Sequence, residues 1–244
     1  MNTNISQRAD RRSASRARPL VGPGSLVARH QLVTFFALSY VLAWAPVPFG
    51  TFVALSALIA AMIVIALTDP RNGFRDLVSR MLRWRVGWQW YVAAVAFPLG
   101  ILLVSILLNM GMGAPSPSLG HFSPWYAVLM LFATNMVNPL GAHLGEEAGW
   151  RAFALPRLQA GRSRFAATCV LAVLVTVWHV PLMLSTWGLR PIELLSTAAV
   201  TFWYAWLFDH SGGSALMTLI SHAFEGSLEP TSLWQGADNS RVIQ

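Results

Sequence analysis

Apolar residues in this chain come in long runs, not in the short stripes or alternations of a water-soluble core. Runs over 31–50, 51–68, 91–110, 125–159, 165–187, 192–208 and 212–228 approach or exceed the roughly 20 residues that cross a bilayer as helix. Pro46 and Pro48 close the first run, Asp69 and Pro70 close the second, and the fourth is broken around Pro139 and Gly141. The segment 72–90 reads differently. Phe74, Leu77, Val78, Met81 and Leu82 recur at helical spacing with Arg75 and Arg80 between them, and Trp84, Trp88 and Trp90 follow. That is the pattern of a helix lying in the membrane interface. Residues 111–124 are rich in Gly, Pro and Ser and read as a loop. The expectation is an all-α polytopic transmembrane helical bundle of about seven spans plus an interfacial amphipathic helix.

Composition sharpens this. The chain is 55% hydrophobic and 11% charged over 244 residues, against about 25% charged for soluble domains. There is too little polar surface to solvate a globule of this size. The net charge is +7, and every basic side chain is Arg. A basic balance can signal nucleic acid, but these arginines flank apolar spans, where they set topology. No nucleic-acid partner is expected; the lipid bilayer is. Cys169, the single cysteine, lies in an apolar run and can form no intrachain disulfide.

Residues 1–30 carry Arg8, Arg11, Arg12, Arg16, Arg18 and Arg29 against Asp10, and read as a disordered Arg-rich tail. This makeup also fits a transit peptide, but the span that follows is too long for a signal peptide's apolar region. Residues 31–228 form the transmembrane domain and 229–244 a polar tail. With the N-terminus cytoplasmic, the tail, the 69–90 and 157–164 loops and the turn near 209–211 lie inside. They hold nearly all the arginines outside the spans. The expected location is a multi-pass cell membrane.

Between Asp76 and Glu193 the acids are Glu146 and Glu147, adjacent and within GAHLGEEAGWRAFALPRLQ. An ionisable residue inside a membrane is expensive and is a functional hypothesis by default. Arg151 follows Glu147 by four residues, on the same helix face, so a buried structural ion pair explains Glu147 but leaves Glu146 over. His179 and His222 also lie inside apolar runs. Counted from the arginine-rich ends, Glu146, His179 and His222 are all about 16–21 Å deep at 1.5 Å per residue. One layer thus collects a carboxylate and two imidazoles. Such a set can bind a metal as His₂Glu with an open water position, or hold a water directly with Glu as general base. His143 shares the face of Glu146. It reads either as a partner behind the site or as a histidine at the break near Gly141. Pro181 should kink or end the helix carrying His179.

Glu146-Glu147-x-x-x-Arg151, His179 after Trp178, and His222-Ala223 resemble the CPBP family of intramembrane proteases. That family includes type II CAAX prenyl endopeptidases and bacteriocin-processing or immunity proteins. RDLVSRMLRWRVGWQWY and WLFDHSGGSALMTLISHA match as well, so the resemblance covers about 75–226. It implies Glu146 as water-activating base, Glu147 as its partner, Arg151 as the holding charge, and His179 and His222 as ligands or oxyanion donors. It leaves Zn²⁺ held by Glu146, His179 and His222 and a metal-free mechanism both open. The implied activity is hydrolysis of a peptide bond near the membrane in a CAAX-like, bacteriocin or other membrane-associated or hydrophobic peptide. The family has Phe where this chain has Val175, and Asn or Asp where it has Gly226. Gly226 removes a polar group, and Glu225 beside it is expected to point about 100° away. The alternatives are a non-catalytic immunity or export-partner protein on the same scaffold, and a proton-coupled transporter. The inverted repeats common in transporters are not found.

Overall fold

The structure, a computed structural model, describes residues 23–138, 141–183, 191–228 and 233–234. Among the described residues it is helical, without a strand. The elements are α1 (Pro23–Arg29), α2 (Gln31–Trp44), α3 (Ser56–Thr68), α4 (Pro70–Met81), α5 (Trp88–Gly111), α6 (Trp125–Val137) and α7 (Ala142–Glu146). A π-helical segment (Glu147–Ala154) continues into α8 (Leu155–Gln159), followed by α9 (Arg164–His179), α10 (Pro191–His210) and α11 (Ala215–Leu228).

Among the described residues, four stretches are long and apolar enough to cross a membrane: Gln31–Phe49, Trp88–Gly111, Trp125–Gln159 and Arg164–Leu182. The expected second and seventh spans are the 13-residue α3 and the 14-residue α11, each only about 20 Å long. The all-α membrane bundle is borne out, with long and short helices mixed. The outward face of α5 is apolar: Ile101, Leu103, Val104, Leu107 and Leu108 are each more than half exposed. A band of this kind marks a lipid-facing surface.

The sequence pattern over 72–90 predicts one interfacial helix, and the structure divides it. α4 starts on Pro70 with the Asp69 side chain accepting from the Asn72 amide at 3.3 Å, a polar cap of the usual kind. It ends at Met81. Gly87 is extended, and Trp88 and Trp90 open α5 instead. The expected tails are also partly ordered. Pro23–Arg29 is helical, and Val27 packs on the core. Leu233 and Trp234 are buried against Leu102 and Leu228. Residues 1–22 and the rest of 229–244 lie outside the described residues, as do Pro139 in the expected break and residues 184–187 of the expected fifth span.

The core is aromatic. Phe35 and Phe36 of α2 pack edge-on and stacked against Trp150, and Trp150 packs on Trp178. Hydrogen bonds pin α9 to α2: Tyr40 donates to the Leu174 carbonyl at 2.6 Å, and Trp44 to the Trp178 carbonyl at 3.1 Å. α3 lies still closer to the glutamate segment. A Cβ on Gly149 would stand 2.5 Å from that of Ala57 and 2.8–2.9 Å from its backbone. Small residues at such crossings let helix backbones meet in a membrane. Gly149 thereby fixes the glutamate segment against α3.

One end of the bundle is laced together. Arg83 donates to the Gly212 carbonyl at 3.0 Å and Ser214 to the Arg83 carbonyl at 2.7 Å. Gln159 donates to the Asp209 carboxylate at 2.9 and 3.0 Å, and Arg157 to the Gln31 amide oxygen at 3.1 Å. The segments that the arginine pattern assigns to one side thus sit together.

Candidate active site

Glu146 and Glu147 occur where α7 widens into the π-helical segment. π-helical geometry inside an α-helix recurs at functional sites. Both carboxylates are buried, Glu146 5% and Glu147 0% exposed. Glu147 Oε1 accepts from Arg151 Nη1 at 3.1 Å and from His222 Nδ1 at 2.9 Å. Arg151, 2% exposed, also lies 4.7 Å from the ring centre of Tyr204. A buried ion pair needs additional hydrogen bonds to offset desolvation, and His222 supplies one.

Glu146 has a different neighbour. Its Oε2 stands 4.0 Å from His179 Nε2. His179 is the last residue of α9, and its Nδ1 lies 2.8 Å from the Val175 carbonyl. A carbonyl can only accept, so Nδ1 carries the proton. In the neutral ring Nε2 is then an acceptor toward Glu146. Val180–Met183 is a turn of 3-10 helix containing Pro181, so the helix stops where the proline pattern predicts.

These groups converge on one cavity of about 190 Å³, lined by Glu146, Arg151, His179, Tyr204, His222 and Glu225 among others. The three side chains that the sequence sets at one depth line this one cavity. Glu147 sits behind it and reaches it through His222 and Arg151. A second cavity of about 270 Å³ adjoins the first at Ser196, Val200 and Glu225. It is walled by Phe97, Pro98, Ile101, Leu102, Ala199 and Leu228 and is mostly apolar.

Glu225 and Tyr204 depart from the sequence reading, and His143 takes one of its two readings. Glu225 does not turn away: it lines both cavities and accepts a hydrogen bond from Tyr204. It follows His222 by three residues, so on a helix it is that residue's neighbour, about 60° around. Tyr204 packs against His222 with ring centres 5.2 Å apart, and no sequence signal separated it from the other aromatics of its run. His143 proves to be a partner behind the site, 4.6 Å from the His222 ring.

The residues do not fit a metal ion as they stand. Among the described residues no three His, Cys, Asp or Glu side chains are gathered to hold one. No step below is routed through zinc.

Fold and site together define an all-α membrane protein with a buried Glu/His cavity. The family described as type II CAAX prenyl endopeptidase Rce1-like matches residues 123–226, which contain Glu146, Glu147, Arg151, His179 and His222. A curated protein named CAAX prenyl protease 2, from Methanococcus maripaludis, is 29% identical over 127 residues, 51% of this chain and 46% of that protein. The chain thus aligns with about half the length of that relative. Both matches support the resemblance to the CPBP proteases.

Proposed function

We propose that this chain is an intramembrane endopeptidase of the CPBP type, using Glu146 to activate water. The observation that carries the reading is the 4.0 Å gap between Glu146 Oε2 and His179 Nε2. It is too long for a direct hydrogen bond and suited to one shared water. Both groups accept, so the water donates both hydrogens and its oxygen lone pairs stay directed at a substrate. As that oxygen attacks the scissile carbonyl, one proton passes to Glu146. Glu146 then returns it to the leaving amine as the C–N bond breaks. His222, with Nδ1 spent on Glu147, has Nε2 left for the cavity. Protonated there, it donates to the oxyanion that forms on the carbonyl. Arg151 and Glu147 hold that imidazole in place.

The adjoining apolar cavity favours a substrate with a bulky apolar group near the cleaved bond. A CAAX-type prenylated peptide, the class named for the relative, has that character; bacteriocin precursors and other membrane peptides are further candidates. The Arg-rich end is assigned to the cytoplasm, with the N-terminus inside. The test is purified protein in detergent or liposomes, incubated with lipidated and unmodified hydrophobic peptides and followed by mass spectrometry. A defined internal cut that Glu146→Gln abolishes is expected. Folded parent with no turnover across the panel overturns the peptidase reading and returns the chain to the non-catalytic alternative.

A further inference from the structure

Three groups hold the His222 ring. Glu147 takes Nδ1 at 2.9 Å, Tyr204 packs beside it at 5.2 Å with the rings 32° apart, and His143 meets it edge to face at 4.6 Å and 67°. Tyr204 lines the cavity, whereas Glu147 sits behind that cavity. His143 is not among the residues lining it and closes the ring in from the α7 side.

His143 reaches that position through a space that exists because residue 226 is glycine. A Cβ on Gly226 would collide with His143 Nε2, and it would stand 3.1 Å from His143 Cε1 and 3.2 Å from Asn135 Nδ2. Asn135 is itself tied to α11, donating to the Ala223 carbonyl at 3.3 Å. α6 and α7 therefore both press on the Gly226 face of α11, one turn beyond His222. His143 Nδ1 is buried with no hydrogen-bond partner among the described residues. That nitrogen is shut off from water without a bond in exchange, an arrangement costly enough to need a reason.

We propose that His143 is a positioning residue that fixes the ring of His222, and that Gly226 is small so that His143 can reach it. Rotation of the His222 ring about χ2 would break its bond to Glu147 and carry Nε2 away from the cavity. In a close-packed interior that rotation needs free volume, and His143 fills it. Gly226 thereby belongs to the support of the site, although it lacks any group to touch a substrate.

The inference rests on His222 belonging to the site, and its test reads the ring directly. Full-length protein carrying isotope-labelled histidine is prepared in detergent, with His222 signals assigned by their loss in His222→Gln. The parent should show one set of His222 ring signals, with Nδ1 protonated. His143→Ala should average or broaden those signals, and kcat should fall about tenfold or more with KM little changed, as for small misplacements of a reacting group. His143→Gln, which keeps bulk, should restore the parent signals and guards against a poorly folded alanine variant. Gly226→Ala should disturb His222 in the parent and much less so in the His143→Ala background, where the clash with His143 is gone and the 3.2 Å approach to Asn135 alone remains. Unchanged His222 signals in folded His143→Ala, or an equal Gly226→Ala effect in both backgrounds, would overturn the inference. If the parent cuts no peptide, the peptidase reading falls while the ring signals still decide this one.

Discussion

Glu146 Oε2 and His179 Nε2 face each other across 4.0 Å, while the neighbouring Glu147 is bonded on one oxygen to both an arginine and a histidine. Two adjacent carboxylates therefore have separate occupations. The division follows from the backbone: one points at the end of α9, the other at α11 and at its own following turn.

Substituting Glu146 tests the base. Glu146→Gln keeps shape and burial but removes the proton acceptor, so cleavage should fall by about 10²–10⁴-fold or more. The melting temperature should stay near that of the parent. Parent-like turnover in folded Glu146→Gln would remove this residue from the reaction.

Arg151→Ala should act on stability first. It leaves Glu147 buried with one partner fewer, and breaking a buried pair from one side costs about 3–5 kcal/mol. The expected result is a clear drop in thermal stability in detergent, together with loss of cleavage. An unchanged melting curve would show that Glu147 does not depend on Arg151.

Gly149→Val tests the crossing with α3. Its side chain would have to enter the space of Ala57, and overpacking of this kind costs about 1–3 kcal/mol. Thermal stability should fall, and activity should fall with it because Glu146 and Glu147 share the segment. Gly161, with nothing near its Cβ position, should accept alanine without change.

Chelation bears on the chemistry. With no three ligands gathered among the described residues, treatment with EDTA or phenanthroline should leave the cleavage rate unchanged. Loss of activity restored by added Zn²⁺ would show that Glu146, His179 and His222 close into a ligand set.

Orientation is open to labelling in a Cys169→Ala background. Cysteines at Ser79 and Arg162 should react only from the cytoplasmic side, and one at Ser116 only from outside. Strong external labelling at Ser79 would reverse the assignment.

What could be read from the sequence was set by how local its cause is. The apolar runs, the Glu147–Arg151 pair four residues apart and the stop at Pro181 follow from neighbours along the chain, and the structure has them. The shared depth of Glu146, His179 and His222 was also legible, because rise per residue is a fixed ruler. Glu225 points away when its angle is taken from position 226, but it follows His222 by three residues and so shares that residue's face. The bond from His222 to Glu147 could not be read at all, since two glutamates one residue apart are equivalent until α11 takes its place beside them. Gly226 looked like a lost polar group. Only packing reveals that the vacancy is filled by His143 from another helix.

The hydrogen bonds that lace one end of the bundle join Arg83 to Gly212, Gln159 to Asp209 and Arg157 to Gln31. The opposite rim carries fewer such ties among the described residues, the Ser118 amide to the Leu233 carbonyl at 2.7 Å and the Trp234 indole to the Pro115 carbonyl at 2.9 Å, so the bundle resists shear most at the laced end. Helices that part to admit a molecule from the lipid would therefore pivot about the arginine-rich end, with amplitude growing with distance from it. Amide exchange in bilayers should be slowest beside those stitches and quicken along α5 and α6 toward the opposite rim.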